Sequence, residues 1–153
     1  MLATGCKTNF FGNDVLMKNS LALKSTYDAI KIRNEVLQGF EDILSADVAE
    51  KEYLLNIVIA GAGPTGVELA GAFAEIKKNI LPKDFPRLDL KDLKIILLEG
   101  GSYTLNNMSD LAKRTSEKYL LKMGVDIMKN IFVKNFDGRM VLLSDGTTIK
   151  SKK

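Results

Sequence analysis

A glycine-rich turn between an apolar strand and a helix is the feature that most constrains the fold of this chain. Residues 54–60 are nearly all apolar and rich in β-branched side chains, which is typical of a central strand of a parallel sheet, buried on both faces. Residues 61–66, with the sequence GAGPTG, follow without a gap, and a helix is predicted from near Thr65 to about Asn79. This order predicts an α/β fold with a Rossmann-like parallel sheet and flanking helices.

The spacing of the three glycines indicates a nucleotide site. Gly61 permits a tight turn, Gly63 lets the backbone approach a pyrophosphate, and Gly66 lets the helix pack close to the strand. Pro64 and Thr65 lie at the start of the helix, where free backbone N–H groups and the helix dipole favour phosphate. The alternative is a glycine turn that only closes a strand–helix corner.

An acid at the end of the second predicted strand is the next candidate. Glu99 closes the apolar run that begins at Leu93, and Gly100 and Gly101 follow it. An acid at this position accepts hydrogen bonds from the ribose hydroxyls of a dinucleotide. No arginine lies within several residues of Glu99, so a 2′-phosphate would meet a negative charge, which favours NAD(H) over NADP(H). The alternative is a surface acid at a strand end.

Composition excludes several classes of function. The 153 residues include 22 basic and 19 acidic side chains, a surplus too small to predict a nucleic-acid groove. The chain has no histidine and one cysteine, Cys6, so a Ser-His-Asp triad and a multi-cysteine metal site are both excluded. No apolar run approaches the ~20 residues of a membrane span, and no signal peptide opens the chain. We therefore expect no metal and a cytoplasmic location.

Hydrophobic periodicity predicts one long amphipathic helix from Ser25 to Ser45, with Ser25 and Asp28 close to a capping box. Its apolar stripe is expected to pack on the domain or on a neighbour, and it consists of Ile30, Leu37 and Leu44, widened by Val36, Phe40 and Ile43. Residues 1–24 are predicted to be irregular, and residues 50–53 a polar lead-in to the first strand.

The second half of the chain is predicted to hold a loop, a helix and short strands. Two prolines indicate a loop over residues 81–92, and Ser109 starts a helix that ends at Gly124 before a short third strand. Asp-Gly pairs at residues 137–138 and 145–146 then predict a small antiparallel β-meander.

The quoted residues resemble a known family. An Ala-Thr-Gly turn at residues 3–5, followed by the block at residues 61–71, resembles flavoprotein oxidoreductases with two dinucleotide-binding domains. Within that family, this block, the run at 74–78 and the loop at 81–86 are most similar to type II, non-proton-pumping NADH:quinone oxidoreductases. In such enzymes a glycine motif downstream of Ala-Thr-Gly belongs to NAD(H), not to FAD.

The resemblance implies roles for individual residues. Gly61, Gly63 and Gly66 match the pyrophosphate loop, Glu99 matches the ribose-binding acid, and Glu68 matches a glutamate near the contact between nicotinamide and flavin. Pattern alone leaves Glu68 equally consistent with a solvated helix acid.

The resemblance also implies how the chain is organised. Residues 1–50 would form a junction segment, and residues 51–153 would form the NAD(H)-binding domain of a longer chain. The FAD-binding half of that chain would be missing here, so the piece would be inactive alone.

Several partners follow from the same resemblance. In the parent enzyme, NADH reduces FAD and FAD reduces a quinone at the cytoplasmic face of a membrane. A homodimer is a further expectation, from the apolar stripe of the long helix. The NAD(H) domain of a ferredoxin- or peroxide-type flavin reductase and a non-catalytic NAD(H)-sensing module remain open as alternatives.

Overall fold

The computed structural model describes residues 8–10, 12–86 and 88–152. The turn predicted at residues 3–5 and Cys6 therefore lie outside the described residues. The elements, in chain order, are α1 (Asp14–Asn19), α2 (Thr26–Ser45), α3 (Val48–Leu54), β1 (Asn56–Ala60), α4 (Pro64–Glu75), a π-helical turn (Ile76–Ile80), α5 (Leu81–Asp84), β2 (Lys94–Glu99), α6 (Asp110–Lys122), β3 (Val125–Lys129), β4 (Val133–Phe136), β5 (Met140–Leu143) and β6 (Thr148–Lys150).

The first sheet is parallel, in the order β1-β2-β3. Its central strand is β2, whose residues from Ile95 to Leu98 are all buried. The prediction that a strand spans residues 54–60 is wrong at its start, because Leu54 is the last residue of α3 and Leu55 is its C-cap. Among the described strands, β1 pairs with β2 alone.

Alternate residues of β2 pack on different layers. Ile95 and Leu97 join a core with Phe73 of α4 and Leu120 of α6, which cover one face of the sheet. Ile96 and Leu98 face the other way and join the core of the second sheet, built from β4, β5 and β6. This period of two is expected of a strand buried on both faces. The two sheets together confirm the predicted α/β class, with a parallel sheet, flanking helices and an antiparallel meander.

The meander turns at the predicted Asp-Gly pairs. Gly138 and Gly146 have φ values of +101° and +87°, a region that glycine adopts without strain. The carboxylate of Asp137 accepts hydrogen bonds from the backbone N–H groups of Met140 and Arg139, and these bonds lower the pKa of that carboxyl group. Gly124 ends α6 with a φ of +82°, also as predicted.

Two short helices replace segments predicted to be irregular. The side chain of Asn13 caps α1 and also donates a hydrogen bond to the carbonyl of Lys134, so α1 is attached to β4. Asp47 caps α3, which includes the segment predicted as a polar lead-in. Helices of six and seven residues show too little apolar periodicity for recognition, and their capping residues are the only local signal.

The region after the glycine-loop helix also differs from the prediction. The α-helix ends at Glu75, and a π-helical turn continues the chain to Ile80. The start of the predicted loop is helical, since Leu81–Asp84 forms α5 and buries Leu81.

Within the described ranges, no helix combines the length and the apolar character needed to cross a bilayer.

The long helix α2 confirms its predicted start, and its buried face includes Phe40 and Ile43, which were predicted to widen the apolar stripe. Ser25 and Asp28 form a complete capping box. Its buried residues are Ile32, Phe40 and Ile43, whereas the predicted stripe of Ile30, Leu37 and Leu44 is 46%, 41% and 53% exposed. The expectation that this stripe packs on the domain is therefore wrong for those three residues. Ile32 instead reaches the core around Phe73, and Phe40 and Ile43 pack with Leu54.

We expect the exposed stripe of α2 to associate with the stripe of a second copy. Its three residues recur every seven positions on one side of the helix, and the stripe extends for about 20 Å. Leu37→Gln should shift the chain towards monomer in analytical ultracentrifugation.

The matched control is Leu121→Gln, which changes another exposed leucine on α6 and should leave association unchanged. A wild-type chain that stays monomeric at millimolar concentration would contradict this expectation.

Candidate functional site

The glycine loop lies at the carboxyl end of β1 and leads directly into α4. Gly61 has a φ of +100°, and its N–H donates to the carbonyl of Leu98 at 2.8 Å, so the turn remains attached to β2. Gly63 is the N-cap of α4 and Pro64 its first residue. Neither a capping side chain nor an acidic residue occupies the first turn of α4. The N–H groups at this helix start are therefore free for an anion.

The glycines have different steric environments. A Cβ on Gly66 would lie 1.9 Å from the carbonyl oxygen of Gly61, so α4 approaches the loop too closely for any side chain there. A Cβ on Gly63 would meet nothing within 4 Å. Gly66 is thus required by the packing of the protein itself, whereas Gly63 leaves an open space beside the backbone.

Glu99 joins the end of β2 to the glycine loop. Its Oε2 accepts a hydrogen bond from the N–H of Ala62 at 2.8 Å, and its Oε1 accepts one from the N–H of Gly101 at 2.7 Å. The carbonyl of Ala62 in turn accepts from the N–H of Leu105 at 2.8 Å. A carboxylate offers about four lone-pair sites, so each oxygen of Glu99 retains capacity for one more donor.

One open groove of about 1260 Å³ collects most of the predicted site residues. Those lining it are Gly61, Gly63, Pro64, Thr65, Gly66, Glu99 and Gly100. Glu68 is not among the lining residues. It lies exposed on α4, and its side chain makes no hydrogen bond with the part of the chain that the structure describes. The structure therefore brings the loop and the acid together but leaves Glu68 apart from them.

The structure brings a lysine close to Glu99, although the two residues are far apart in the sequence. Lys129 of β3 is the register partner of Glu99 on β2. Its Nζ donates to both oxygens of Glu117, at 3.0 and 3.2 Å, and lies 5.7 Å from the ring centroid of Tyr103. The charge of Lys129 is therefore paired with Glu117 and not with Glu99, although Lys129 lies on the strand beside Glu99.

Sequence reasoning missed three residues of this region. Ala62 is fully buried and makes the loop side of the link to Glu99, and Leu105 secures its carbonyl. Phe132 lines the groove and is exposed, and it immediately precedes β4, which begins at Val133. In the sequence, the only indication that Ala62 belongs to the site is its position between Gly61 and Gly63 of the glycine motif.

Across the described residues, no group of histidine, cysteine, aspartate and glutamate side chains could hold a metal ion.

The contact between Gly66 and Gly61 predicts a large effect of a single methyl group. Gly66→Ala forces the loop away from α4 and should destabilise the fold by about 3 kcal/mol, because the obstructing atom is backbone. Urea unfolding measures this change.

Gly71→Ala on the same helix is the matched control. Its Cβ meets only a Leu120 methyl group at 4.0 Å, so it should leave stability unchanged or raise it by up to about 1 kcal/mol. Equal stabilities of the two variants would contradict the close packing of the loop.

Comparisons with known proteins identify the family of the chain. The model of the pyridine nucleotide-disulphide oxidoreductase family matches residues 1–153. The chain is 34% identical to the type II NADH:quinone oxidoreductase Ndh of Mycobacterium tuberculosis, over 96% of this chain and 32% of that protein. It is 30% identical to the external alternative NAD(P)H-ubiquinone oxidoreductase B1 of Arabidopsis thaliana, over 87% of this chain and 24% of that protein.

A solved structure shares the fold. The structure of NDH2 from Plasmodium falciparum in complex with NADH superposes with a TM-score of 0.89 at 22% identity, over 96% of this chain and 31% of that one. The chain thus spans about a third of the length of the Mycobacterium tuberculosis relatives and about a quarter of the length of the Arabidopsis thaliana relative. The family model covers the glycine loop and the Glu99 link alike, and the chain belongs to the pyridine nucleotide-disulphide oxidoreductase family.

Proposed function

We propose that this chain binds NADH and presents its nicotinamide to an FAD for hydride transfer. The observation that carries the proposal is the hydrogen bond between the Ala62 amide and the Glu99 carboxylate. This bond joins the loop before α4 to the acid at the end of β2 in one groove, which supports a phosphate site at the helix start and a ribose site at Glu99. The open space beside Gly63 fits the close approach of a pyrophosphate, and the free N–H groups of α4 would receive its charge.

In this assignment the residues of the chain position the dinucleotide. Glu99 accepts the ribose hydroxyls with its two remaining lone-pair sites, and the glycine loop orients the pyrophosphate along the start of α4. Glu68, exposed one turn into α4, would lie towards the nicotinamide. Hydride chemistry belongs to the nicotinamide and to the flavin when both are bound, so the contribution of the protein is orientation and electrostatics.

The flavin would be bound elsewhere in the protein. The sequence has a single G-x-G-x-x-G motif, assigned here to NADH, so these residues are not proposed to hold FAD. The names of the relatives support a quinone as the final acceptor. Attachment of the whole enzyme to the cytoplasmic face of a membrane is proposed from the family resemblance alone. A ferredoxin- or peroxide-type reductase and an NAD(H) sensor share the same loop. Adding the FAD-binding half and observing NADH-dependent bleaching of the flavin, then quinone reduction, separates the three.

The open space at Gly63 provides the direct test of NADH binding. We expect the chain to bind NADH with a dissociation constant on the order of 0.1–1 mM, since a flavin stacking partner is absent, and to bind FAD hardly at all. Gly63→Ala has no steric conflict within the protein, so stability should be unchanged while NADH affinity falls at least about tenfold.

Calorimetric titration of wild type, Gly63→Ala and the control Gly71→Ala measures this effect. Tight FAD binding by wild type, or full NADH affinity in Gly63→Ala, would contradict the assignment of the loop.

Glu99 should set the preference for NADH over NADPH. A 2′-phosphate removes one hydroxyl donor and brings a charge of about −1.5 to −2 towards the carboxylate. We expect wild type to prefer NADH by more than roughly tenfold, or about 1.4 kcal/mol. Glu99→Gln should weaken NADH binding and reduce the ratio of NADH affinity to NADPH affinity. Glu99→Arg should reduce this ratio further or reverse the preference.

Glu99→Gln also leaves one of its two backbone N–H partners without an acceptor, so its unfolding free energy is measured alongside. Glu41→Gln, an exposed acid on α2, is the control and should change neither quantity. An unchanged cofactor ratio in Glu99→Gln would show that Glu99 has only the structural role.

A further inference from the structure

An aromatic side chain lies exposed beside the ribose-binding acid. Phe132 is 57% exposed and lines the same groove as Glu99 and Gly100. A Cβ added to Gly100 would lie 3.9 Å from the Cβ of Phe132, so the two positions are immediate neighbours. Exposing a phenylalanine this far loses most of the free energy that burial would provide. In this place the ring has an apolar surface free at the end of the site where the adenosine half of a dinucleotide would lie.

The backbone holds this phenylalanine in a fixed position. The N–H of Phe132 donates to the hydroxyl of Ser144 at 3.2 Å, and its carbonyl accepts from the N–H of Ser144 at 2.9 Å. The preceding N–H, of Ile131, donates to the carbonyl of Glu99 at 2.9 Å, and the side chain of Ile131 is buried. The residue is thus attached to both β2 and the meander, and its exposure is a property of the fold, not of a loose loop.

We propose that Phe132 is the platform on which the adenine ring of the dinucleotide stacks. The inference rests on the proposed function and adds the residue that would recognise the base. Glu99 would hold the adenosine ribose, and the neighbouring aromatic face then meets the base attached to that ribose. Gly100 has no side chain between the two, which leaves room for a planar ring. A purine binds an aromatic face through stacking, and this contact tolerates changes at the edge of the base.

The test compares cofactors with and without the base. NADH, reduced nicotinamide mononucleotide, which lacks the adenosine, and reduced nicotinamide hypoxanthine dinucleotide, which has an altered base edge, are titrated into wild type and variants. Phe132→Leu should weaken NADH and the hypoxanthine analogue about tenfold each and leave the mononucleotide unchanged. Phe132→Trp should restore the affinity, because it retains an aromatic face. Tyr119→Leu, an exposed aromatic on α6, is the matched control.

A direct readout accompanies the affinities. Nuclear Overhauser contacts between the adenine protons of NADH and the ring protons of Phe132 are expected in wild type. Equal NADH affinity in wild type and Phe132→Leu, or an equal loss for the mononucleotide, overturns the proposal and leaves Phe132 as a surface for another protein segment. Absence of NADH binding in wild type would instead overturn the proposed function, so the two failures are distinguishable.

Discussion

The hydrogen bond from the Ala62 amide to the Glu99 carboxylate is the interaction on which the candidate site depends. Ala62 lies in the glycine loop and Glu99 ends the neighbouring strand, so the bond joins two segments far apart in sequence. A bond to a charged acceptor is stronger than one between neutral groups, and the full burial of Ala62 protects it from competing water. The loop and the acid therefore keep one relative position without a ligand.

The parallel sheet explains why these groups meet at one edge. Because β1 and β2 run in the same direction, the glycine loop and Glu99 leave the sheet side by side. The bond from the Gly61 N–H to Leu98 and the bond from the Ile131 N–H to Glu99 extend this junction to the lead-in of the meander. Ligands of open α/β sheets bind at the carboxyl ends of the strands. Phe132, at the start of the meander, adds an exposed aromatic side chain to that edge.

The helix α2 shows where periodicity is insufficient. Two overlapping apolar faces exist on it, one through Ile30, Leu37 and Leu44 and one through Ile32, Phe40 and Ile43. Hydrophobic spacing indicates both apolar faces but does not predict which of them packs against the rest of the domain. The second face is buried because Phe73 and Leu54 offer complementary apolar surface to it. The first face remains available to a partner, because no described residue covers it.

The sequence by itself determined the α/β class, the glycine loop, the ends of the meander turns and the place of Glu99 at the end of an apolar strand. Each of these depends on local chemistry: a missing Cβ, a β-branched run, or an Asp-Gly turn. Only the tertiary structure decided that β2 is the central strand, that Glu99 bonds to Ala62, and that Lys129 and Phe132 lie beside it. These facts depend on which strands pair and in which register, and strand pairing joins residues through contacts that no local pattern encodes.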